Sequence, residues 1–317
     1  MDSLFLPSAL RDAKRVLVAG AGGGFDVYAG LPLYLALRRE GKAAFLANLT
    51  FTYLGGTDAR RLAPSLAVVD ARTSGEPDYF PERALARFLE EGRGETDVVV
   101  YALDKTGVEP ARDAYETLAR HLDVDAIVLV DGGTDILMRG DEAGLGTPCE
   151  DMVSLAAVSA LDAIPVRLVM CVGFGIDAFH GVCHAHFLEN VAALGKEGGY
   201  LGASALLPSM PEVSAYLEAV RHAEALTPAR PSIVNGSIAS AIEGEFGDHH
   251  RSDRTRSGTL FINPLMSLLW AFDLRAVARR SLYLPLLRGT HSIFEVMARI
   301  EAFRGTVQHR PRQIIPH

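Results

Sequence analysis

Four carboxylates follow a short apolar run near the middle of the chain. The run is Ala126–Val130, and it leads into Asp131-Gly-Gly-Thr-Asp135 and then Gly140-Asp-Glu142. Carboxylate oxygens beside a glycine turn suit a hard divalent cation such as Mg²⁺ or Mn²⁺, and they can also hold substrate hydroxyl or ammonium groups. A simpler interpretation is that Asp131 caps the following turn while the last two acids are solvated surface charge. The predicted roles are metal ligand for Asp131 and Asp135, catalysis for Asp131, and substrate contact for Gly132, Gly133 and Thr134.

A glycine-rich segment, Gly20-Ala-Gly-Gly-Gly-Phe-Asp26, follows another apolar run and precedes a helical pattern. Glycines let backbone amides approach an anion closely, and a helix N-terminus adds partial positive charge. The dinucleotide fingerprint requires glycine where this loop has Phe25, and the second strand leads to Asn48 instead of an acid. The segment therefore favours phosphate or carboxylate contact over NAD(P), although a tight turn that serves only packing would have the same composition. The predicted anion or substrate contacts are Gly20, Gly22, Gly23, Gly24 and Asp26.

Histidines and acids are concentrated in the segment 177–189. If this segment is helical, Asp177, His180 and His184 share one face, because they are three and four residues apart. Such a group can transfer protons or bind a transition metal, whereas a histidine on an apolar face can equally be a core residue. We predict that these three residues are catalytic.

Two adjacent histidines, His249 and His250, lie in the polar segment 244–251. We predict that they reach into the same cleft and contact substrate, with a solvated loop as the alternative. Zinc-protease and serine-hydrolase chemistry are not supported, since the sequence contains neither HExxH nor GxSxG. Cysteine catalysis is also disfavoured, because Cys183 and His184 are adjacent and would point apart on a helix.

Alternating strand and helix patterns must position these residues. Apolar runs predict strands, and helical spacing of Leu and Ala predicts helices, with glycine between them. The predicted strands are 15–19, 43–52, 66–70, 96–103, 126–130 and 166–172, and the predicted helices are 28–39, 81–91, 111–122 and 148–160. This alternation is typical of a Rossmann-like α/β fold with a three-layer, mainly parallel sheet.

The loops that follow parallel strands should line one crevice, because such strands end at the same edge of a sheet. These loops are Gly20–Asp26, Asp104–Gly107, Asp131–Asp135 and Gly173–Asp177, and His180 should lie beside them.

From residue 178 onward the pattern is mostly helical. Helices are predicted at 178–194, 210–225 and about 277–304, and short strands at 232–236 and 259–263 would extend the sheet. No Pro/Ser-rich linker or internal repeat marks a boundary. We therefore predict a single α/β domain over 1–317, with a core at 15–177 and a mostly helical extension at 178–317 packed on the same sheet.

The composition disfavours several classes of protein. Hydrophobic residues make up 49% and charged residues 22% of the 317 residues, which is ordinary for a globular chain. A net charge of −8 disfavours a nucleic-acid partner, which would require clustered Lys and Arg. Three cysteines without CxxC spacing, and no apolar run near the roughly 20 residues of a membrane span, predict a cytoplasmic protein with no membrane partner. The predicted partner is a small-molecule substrate, and homo-oligomer formation is left open.

Several motifs resemble one protein family across nearly the whole chain. They are VLVAGAGGGFDV, VDGGTDILMRGDE with GLGTPCED, GFGIDAFHGV and FGDHHR, in this order. The combination resembles the domain of unknown function 1152 family, which implies a full-length single-family protein without an established activity.

The segment Asp131–Asp135 is also similar to the Gly-Asp-Gly-Gly-Asn-Glu signature in the C-terminal domain of D-glutamate cyclase. This likeness implies a cyclising or lactam-opening reaction by analogy. Two positions depart from the signature, because Val130 replaces the preceding glycine and Thr134 replaces the amide residue.

Together, these patterns predict an enzyme that acts on a small polar metabolite carrying phosphate or carboxylate. A hydrolase or lyase is favoured, because a metal that polarises the substrate and a histidine that moves protons suffice for either reaction. An NAD(P)-dependent oxidoreductase and a non-catalytic ligand sensor are the alternatives.

Overall fold

The computed structural model describes residues 4, 6–75 and 78–315. The strands are β1 Arg15–Gly20, β2 Ala43–Leu49, β3 Arg60–Ala63, β4 Leu66–Val69, β5 Val100–Leu103, β6 Ala126–Asp131, β7 Val166–Cys171, β8 Tyr200–Ala205, β9 Gly247–Asp248, β10 Phe261–Ile262 and β11 Leu268–Asp273. The helices are α1 Asp26–Ala29, α2 Leu31–Arg39, α3 Pro81–Arg87, α4 Val108–Leu122, α5 Cys149–Ser159, α6 His184–Lys196, α7 Pro211–Leu226, α8 Ile233–Ile242, α9 Leu274–Arg280 and α10 Ile293–Arg304.

Nine strands form one mixed sheet in the order β3-β4-β5-β2-β1-β6-β7-β11-β8. The five central strands, β5, β2, β1, β6 and β7, are parallel, and antiparallel strands extend the sheet at each edge. Leu129 of β6 is aligned with Ala19 of β1 and with Val169 of β7, so these three strands end side by side. Helices flank the sheet, and the predicted α/β class with a mainly parallel sheet is confirmed.

Strand β6 is buried on both of its faces. Ile127 and Leu129 pack in a core that includes residues of α4 and α5, whereas Ala126, Val128 and Val130 pack in a second core that includes residues of α2 and α7. All five side chains are fully buried. A strand covered on both faces requires a continuous apolar run, which makes it recognisable in the sequence.

The C-terminal part differs from the sequence prediction at three places. Residues 232–236 begin helix α8 and are not a strand, because Ser232 Oγ accepts a hydrogen bond from the amide of Asn235 at 3.1 Å and caps the helix. Residues 259–263 contain β10, which pairs with β9 in a separate two-stranded sheet. The segment 277–304 is divided between α9 and α10.

The predicted helix at 178–194 is also wrong, since α6 begins only at His184. Ile176–His180 forms a 3-10 turn, and Gly181 after it has φ of +99°, a conformation that glycine adopts far more easily than other residues. Asp177, His180 and His184 therefore do not share the face of one helix.

Three strands of the sheet were not expected from the sequence, namely β3, β8 and β11. Strand β11 lies antiparallel between β7 and β8, so residues from the C-terminal part of the chain extend the sheet beyond β7. No helix within residues 4, 6–75 and 78–315 combines the length and the apolar character that crossing a bilayer requires.

Helix α4 receives its N-terminal cap from a distant part of the chain. The amide of Val108 donates to Thr290 Oγ1 at 3.0 Å, and the amide of Glu109 donates to the carbonyl of Thr290 at 3.0 Å. A Cβ atom on Gly107 would lie 2.6 Å from the amide nitrogen of His291, so only glycine fits this contact. The loop before α4 is thus packed against the segment around residue 290.

The full burial of β6 leads to a first prediction. Leu129→Ala should lower the free energy of unfolding by about 2–5 kcal/mol, because it removes buried methyl groups and leaves a cavity. Urea denaturation measures this change, and Leu207→Ala, at a side chain that is 42% exposed, is the matched control with a small expected effect. A loss below about 1 kcal/mol for Leu129→Ala would contradict the packing described for β6.

Candidate functional site

A cleft of about 570 Å³ lies beyond the carboxyl ends of β1 and β7. It is lined by residues 23–26 of the glycine loop and by residues of the turn Ile176–His180. The start of α8 and residues from the segment 254–260 line it as well. The predicted site residues that line this cleft are Gly23, Gly24, Asp26, Asp177 and His180.

Asp26, at the start of α1, is held by the loops around it. Its Oδ2 accepts a hydrogen bond from the amide of Gly22 at 2.7 Å, and the amide of Gly132 also bonds its carboxylate. Gly23 and Gly24 have φ of +91° and +60°, so the loop follows a path that other residues adopt only under strain. The glycine loop therefore wraps around a carboxylate of the chain itself, and an external anion at Gly22 would have to displace Asp26.

The loop that follows β6 connects two further carboxylates. Asp131 Oδ2 accepts a hydrogen bond from the amide of Ile136 at 3.2 Å. Thr134 donates to Asp177 Oδ2 from its amide at 2.7 Å and from its hydroxyl at 3.2 Å. A Cβ atom on Gly133 would lie 2.9 Å from both Asp131 Oδ1 and Asp177 Oδ2, so glycine leaves the space that these carboxylates occupy.

Helix α5 contributes a carboxylate, Asp151, that was not among the predicted site residues. Asp151 lies in the first turn of α5 and is 3% exposed, and its Oδ1 has no hydrogen-bond partner in the described part of the chain. Oxygens of Asp26, Asp131 and Asp151 lie within 4.8 Å of one another. A Cβ atom on Gly22 would lie 2.7 and 2.8 Å from the two oxygens of Asp151. We call Asp26, Asp131 and Asp151 the carboxylate trio.

The trio differs from the metal pair expected from the sequence, which was Asp131 with Asp135. Asp135 is buried, and its Oδ2 accepts a hydrogen bond from the amide of Thr147 at 2.7 Å. The structure thus groups Asp131 with Asp26 and Asp151 and places Asp135 outside that group.

Burial and mutual repulsion make protons bind tightly to these acids. Burial, followed by the charge of nearby Asp135, raises the pKa of Asp26 to about 7. Burial and then Asp177 raise the pKa of Asp135 to about 8, and burial raises the pKa of Asp177 to about 6 against the hydrogen bonds from Thr134. Burial and neighbouring carboxylates raise the pKa values of Asp131 and Asp151 well above the usual range. Ionising all of these carboxylates is unfavourable unless a proton or a cation neutralises part of their charge.

Asp141 and Glu142 form hydrogen bonds and ion pairs within the chain and are not solvated surface charges. Glu142 is fully buried and accepts hydrogen bonds from the amides of Arg139 and Gly140 at 3.0 and 2.8 Å. Asp141 pairs with Arg310 at 3.0 Å. Both carboxylates are therefore committed to neighbours within the chain.

The two predicted catalytic histidines occupy different environments. His180 is exposed and lines the cleft. His184 does not line it, and its ring packs edge-on against Phe174 at a centroid distance of 5.1 Å. Burial lowers the pKa of His184, which favours its neutral form. Of the two, His180 is the one placed to meet a ligand.

His249 and His250 do not line the cleft. His250 Nδ1 lies 2.9 Å from the hydroxyl of Thr255, and that threonine does line the cleft. His249 Nδ1 lies 3.3 Å from Glu245 Oε2. Their contact with substrate stays a prediction, and His250 adjoins the cleft through Thr255.

The loop Asp104–Gly107, which was expected at the same crevice, does not line it either. Asp104 forms an ion pair with Arg61, and Lys105 forms one with Glu150. Gly107 packs against the segment around residue 290, whereas Lys105 Nζ lies 5.1 Å from the ring centroid of Phe51, which lines the cleft.

Comparison with known proteins identifies a family. Residues 57–307 match the profile of a family described as protein of unknown function (DUF1152). The chain belongs to the DUF1152 family. No curated protein and no solved structure matches the chain, and the similarity to D-glutamate cyclase is not confirmed. Within this DUF1152 protein, the matched range includes Asp131, Asp151, Asp177 and His180, whereas Asp26 lies before it.

Asp151 of the trio and several cleft residues of this DUF1152 protein carried no clear signal in the sequence. Asp151 follows Pro148 in the first turn of a helix, where an acid is common because it interacts favourably with the helix dipole. Phe179 lies in the segment 178–194, for which a helix was predicted, and Arg254 lies in a polar segment to which no role was assigned. For Asp151, its place in the first turn of a helix was the available signal.

The raised pKa values predict how stability depends on pH. Because folded Asp135 holds its proton up to about pH 8 and the ordinary value is 3.8, its contribution is complete at low pH and is lost as the pH rises toward 8. Asp135→Asn should therefore become progressively more stable than the wild type between about pH 5 and pH 9. Urea denaturation over this range measures the difference.

Asp113→Asn, at an exposed residue of α4, is the control for this measurement, and its stability curve should run parallel to the wild-type curve. Parallel curves for Asp135→Asn and the wild type would contradict the raised pKa.

Proposed function

We propose that this DUF1152 protein is an enzyme that holds a divalent cation at the carboxylate trio. The proposed reaction is hydrolysis or elimination on a small polar metabolite that carries phosphate or carboxylate. The observation that supports this proposal is the unpartnered Oδ1 of Asp151, which is buried within 4.8 Å of ligand oxygens from Asp26 and Asp131. A buried oxygen of this kind gains a favourable partner when a cation is present.

The chemistry of the trio suits Mg²⁺ or Mn²⁺. These ions take oxygen ligands and are commonly held by a few carboxylates, with remaining positions filled by water or substrate. Gly22 and Gly132 donate to Asp26, and Ile136 donates to Asp131, so backbone amides orient two of the three carboxylates. When bound, such a cation polarises a substrate carbonyl or phosphoryl group and lowers the pKa of a water molecule.

Two residues of the chain can move protons beside the trio. Asp177 has a pKa of about 6 and is oriented by two hydrogen bonds from Thr134, so it can accept a proton near neutral pH. His180 is exposed at the cleft and can deliver a proton to a leaving group. Hydrolases, lyases and the cyclising or lactam-opening reaction all require such an exchange of protons.

The NAD(P)-dependent alternative is disfavoured by the chain's own carboxylate. In dinucleotide-binding proteins the pyrophosphate lies at the helix N-terminus after the glycine loop. Here Asp26 occupies that position, and Asn48 donates to the carbonyl of Gly24 at 2.8 Å, where an acid would contact the ribose. A nicotinamide cofactor would therefore meet a carboxylate at its phosphates.

Metal titration tests the proposal directly. Isothermal titration of Mn²⁺ into protein purified without a metal-affinity tag should show one ion per chain. Asp151→Asn should weaken binding by at least about tenfold, because it removes one charged ligand. Asp135→Asn is the matched control, since Asp135 is equally buried but lies outside the trio, and it should bind Mn²⁺ nearly as well as the wild type.

A reversed order, with Asp135→Asn the more damaging change, would support the pair expected from the sequence instead of the trio. No Mn²⁺ binding to the folded wild-type protein would refute the proposed metal chemistry.

A second test concerns catalysis. In a screen of phosphate- and carboxylate-bearing metabolites with Mg²⁺ or Mn²⁺, His180→Gln should lower kcat by about 10²–10⁴ for any substrate turned over. His184→Gln, outside the cleft, should leave kcat within a few-fold of the wild-type value. Tight ligand binding without any turnover would favour the non-catalytic sensor, which is the alternative that uses the same cleft.

A further inference from the structure

Aromatic side chains form one wall of the cleft. Phe51, Tyr79 and Phe179 line it, and the rings of Phe51 and Phe179 are 48% and 78% exposed. Tyr79 is anchored by an edge-on contact with Phe25 at 5.6 Å between ring centroids. Exposed aromatic rings grouped at a cleft favour binding of another flat ring. Burial of the apolar surface contributes to the binding free energy, and ring stacking adds to it.

Cationic and polar groups form another part of the wall of the cleft. Arg254 Nη1 donates to the carbonyl of Pro231 at 2.6 Å, which places the guanidinium beside Ser232 and the start of α8. Within residues 4, 6–75 and 78–315, no carboxylate forms an ion pair with Arg254. Arg230 also lines the cleft, and the charges of both arginines act on the hydroxyl of Tyr79, so they lie near the aromatic wall.

Helix α8 adds to the positive character of this wall. Ile233 and Val234, its first residues, line the cleft. The amides in the first turn of a helix have no acceptor within the helix, and the N-terminus carries partial positive charge. Guanidinium groups beside such an end are well suited to carboxylate or phosphate oxygens.

We infer that the cleft binds a molecule in which a flat aromatic ring is joined to a phosphate or carboxylate group. The ring packs against Phe51, Tyr79 and Phe179, and the oxyanion contacts Arg254, Arg230 and the start of α8. This inference rests on the proposed function, because it names the substrate class for the same cleft. The inferred anion contact therefore differs from the one predicted at the glycine loop, where the amide of Gly22 already donates a hydrogen bond to Asp26.

The arrangement of charge sets the direction of the ligand. An oxyanion is attracted by Arg254 and by the start of α8, so it lies at the part of the cleft formed by α8. The other end of the ligand then meets Asp177 and His180, which are the groups that can move protons. The volume of about 570 Å³ is within the range of small-molecule sites and exceeds what a phosphate ion alone would fill.

Four probes separate the contributions of the ring and the charge. Isothermal titration with naphthyl phosphate, naphthoate, naphthalenemethanol and inorganic phosphate should be carried out on the full chain, with and without Mn²⁺. At least one of the two aromatic acids should bind about tenfold or more tightly than both the uncharged alcohol and inorganic phosphate. The tighter of the two acids identifies the oxyanion.

Binding of the alcohol as tightly as the acids would overturn the role of the charge. Equal affinity for inorganic phosphate and naphthyl phosphate would overturn the role of the ring, and the absence of binding by all four probes would overturn the inference as a whole.

Exposed residues allow matched variants that should not affect folding. Arg254→Met should weaken binding of the aromatic acid by about tenfold and leave the alcohol unchanged, because it removes the charge and keeps the length of the side chain. Arg256→Met is the control, since Arg256 pairs with Asp253 and lies outside the cleft. Phe179→Ala should weaken binding of the same acid, whereas Phe261→Ala, an exposed ring outside the cleft, should not.

The metal experiment separates this inference from the proposed function. Asp151→Asn should bind Mn²⁺ at least about tenfold more weakly than the wild type but should still bind the aromatic acid. A wild-type protein that binds the aromatic acid and no Mn²⁺ would overturn the metal chemistry and retain the ligand class. A protein that binds Mn²⁺ and none of the aromatic acids would overturn only the ligand class.

Discussion

Repulsion among buried carboxylates is the constraint on which this site depends. Two like charges 4 Å apart repel by about 4 kcal/mol at an effective dielectric constant of about 20, and several acids lie together beyond β1, β6 and β7. Ionising all of them without a cation would oppose folding. The surrounding backbone reduces this cost by donating hydrogen bonds to them, from the amides of Gly22, Gly132, Thr134, Ile136 and Thr147. The buried carboxylates are therefore compatible with the folded structure only when protons or a cation neutralise part of their negative charge.

The same constraint explains the glycines around the acids. A side chain at Gly22 would collide with Asp26 and Asp151, and one at Gly133 would collide with Asp131 and Asp177. These glycines thus serve the packing of carboxylates, which differs from the phosphate-binding role that a glycine-rich loop after a strand usually suggests. Arg230, Arg254 and the start of α8 also line the cleft, so it contains positive as well as negative groups.

The sequence was sufficient for the features that depend on local pattern. The buried run Ala126–Val130 predicts β6, and parallel strands bring Asp26, Asp177 and His180 to one cleft. Features set by tertiary contacts were not predictable. Strand β8 reads Tyr-Leu-Gly-Ala-Ser-Ala, a weak strand sequence that is stabilised by pairing with β11. Asp151 reaches the trio from a helix, so no spacing within one segment reveals it.

The dependence of α4 on Thr290 has a consequence for how the chain is made. Residues 108 and 290 are separated by 182 positions, so the start of α4 has no cap when the first half of the chain leaves the ribosome. The edge of β7 likewise stays unpaired until about a hundred further residues have been synthesised, because β11 pairs with it. The parallel centre of the sheet must therefore persist during synthesis with an exposed edge and an uncapped helix. An unpaired strand edge can pair with another chain, so β7 carries a risk of aggregation until β11 has been made.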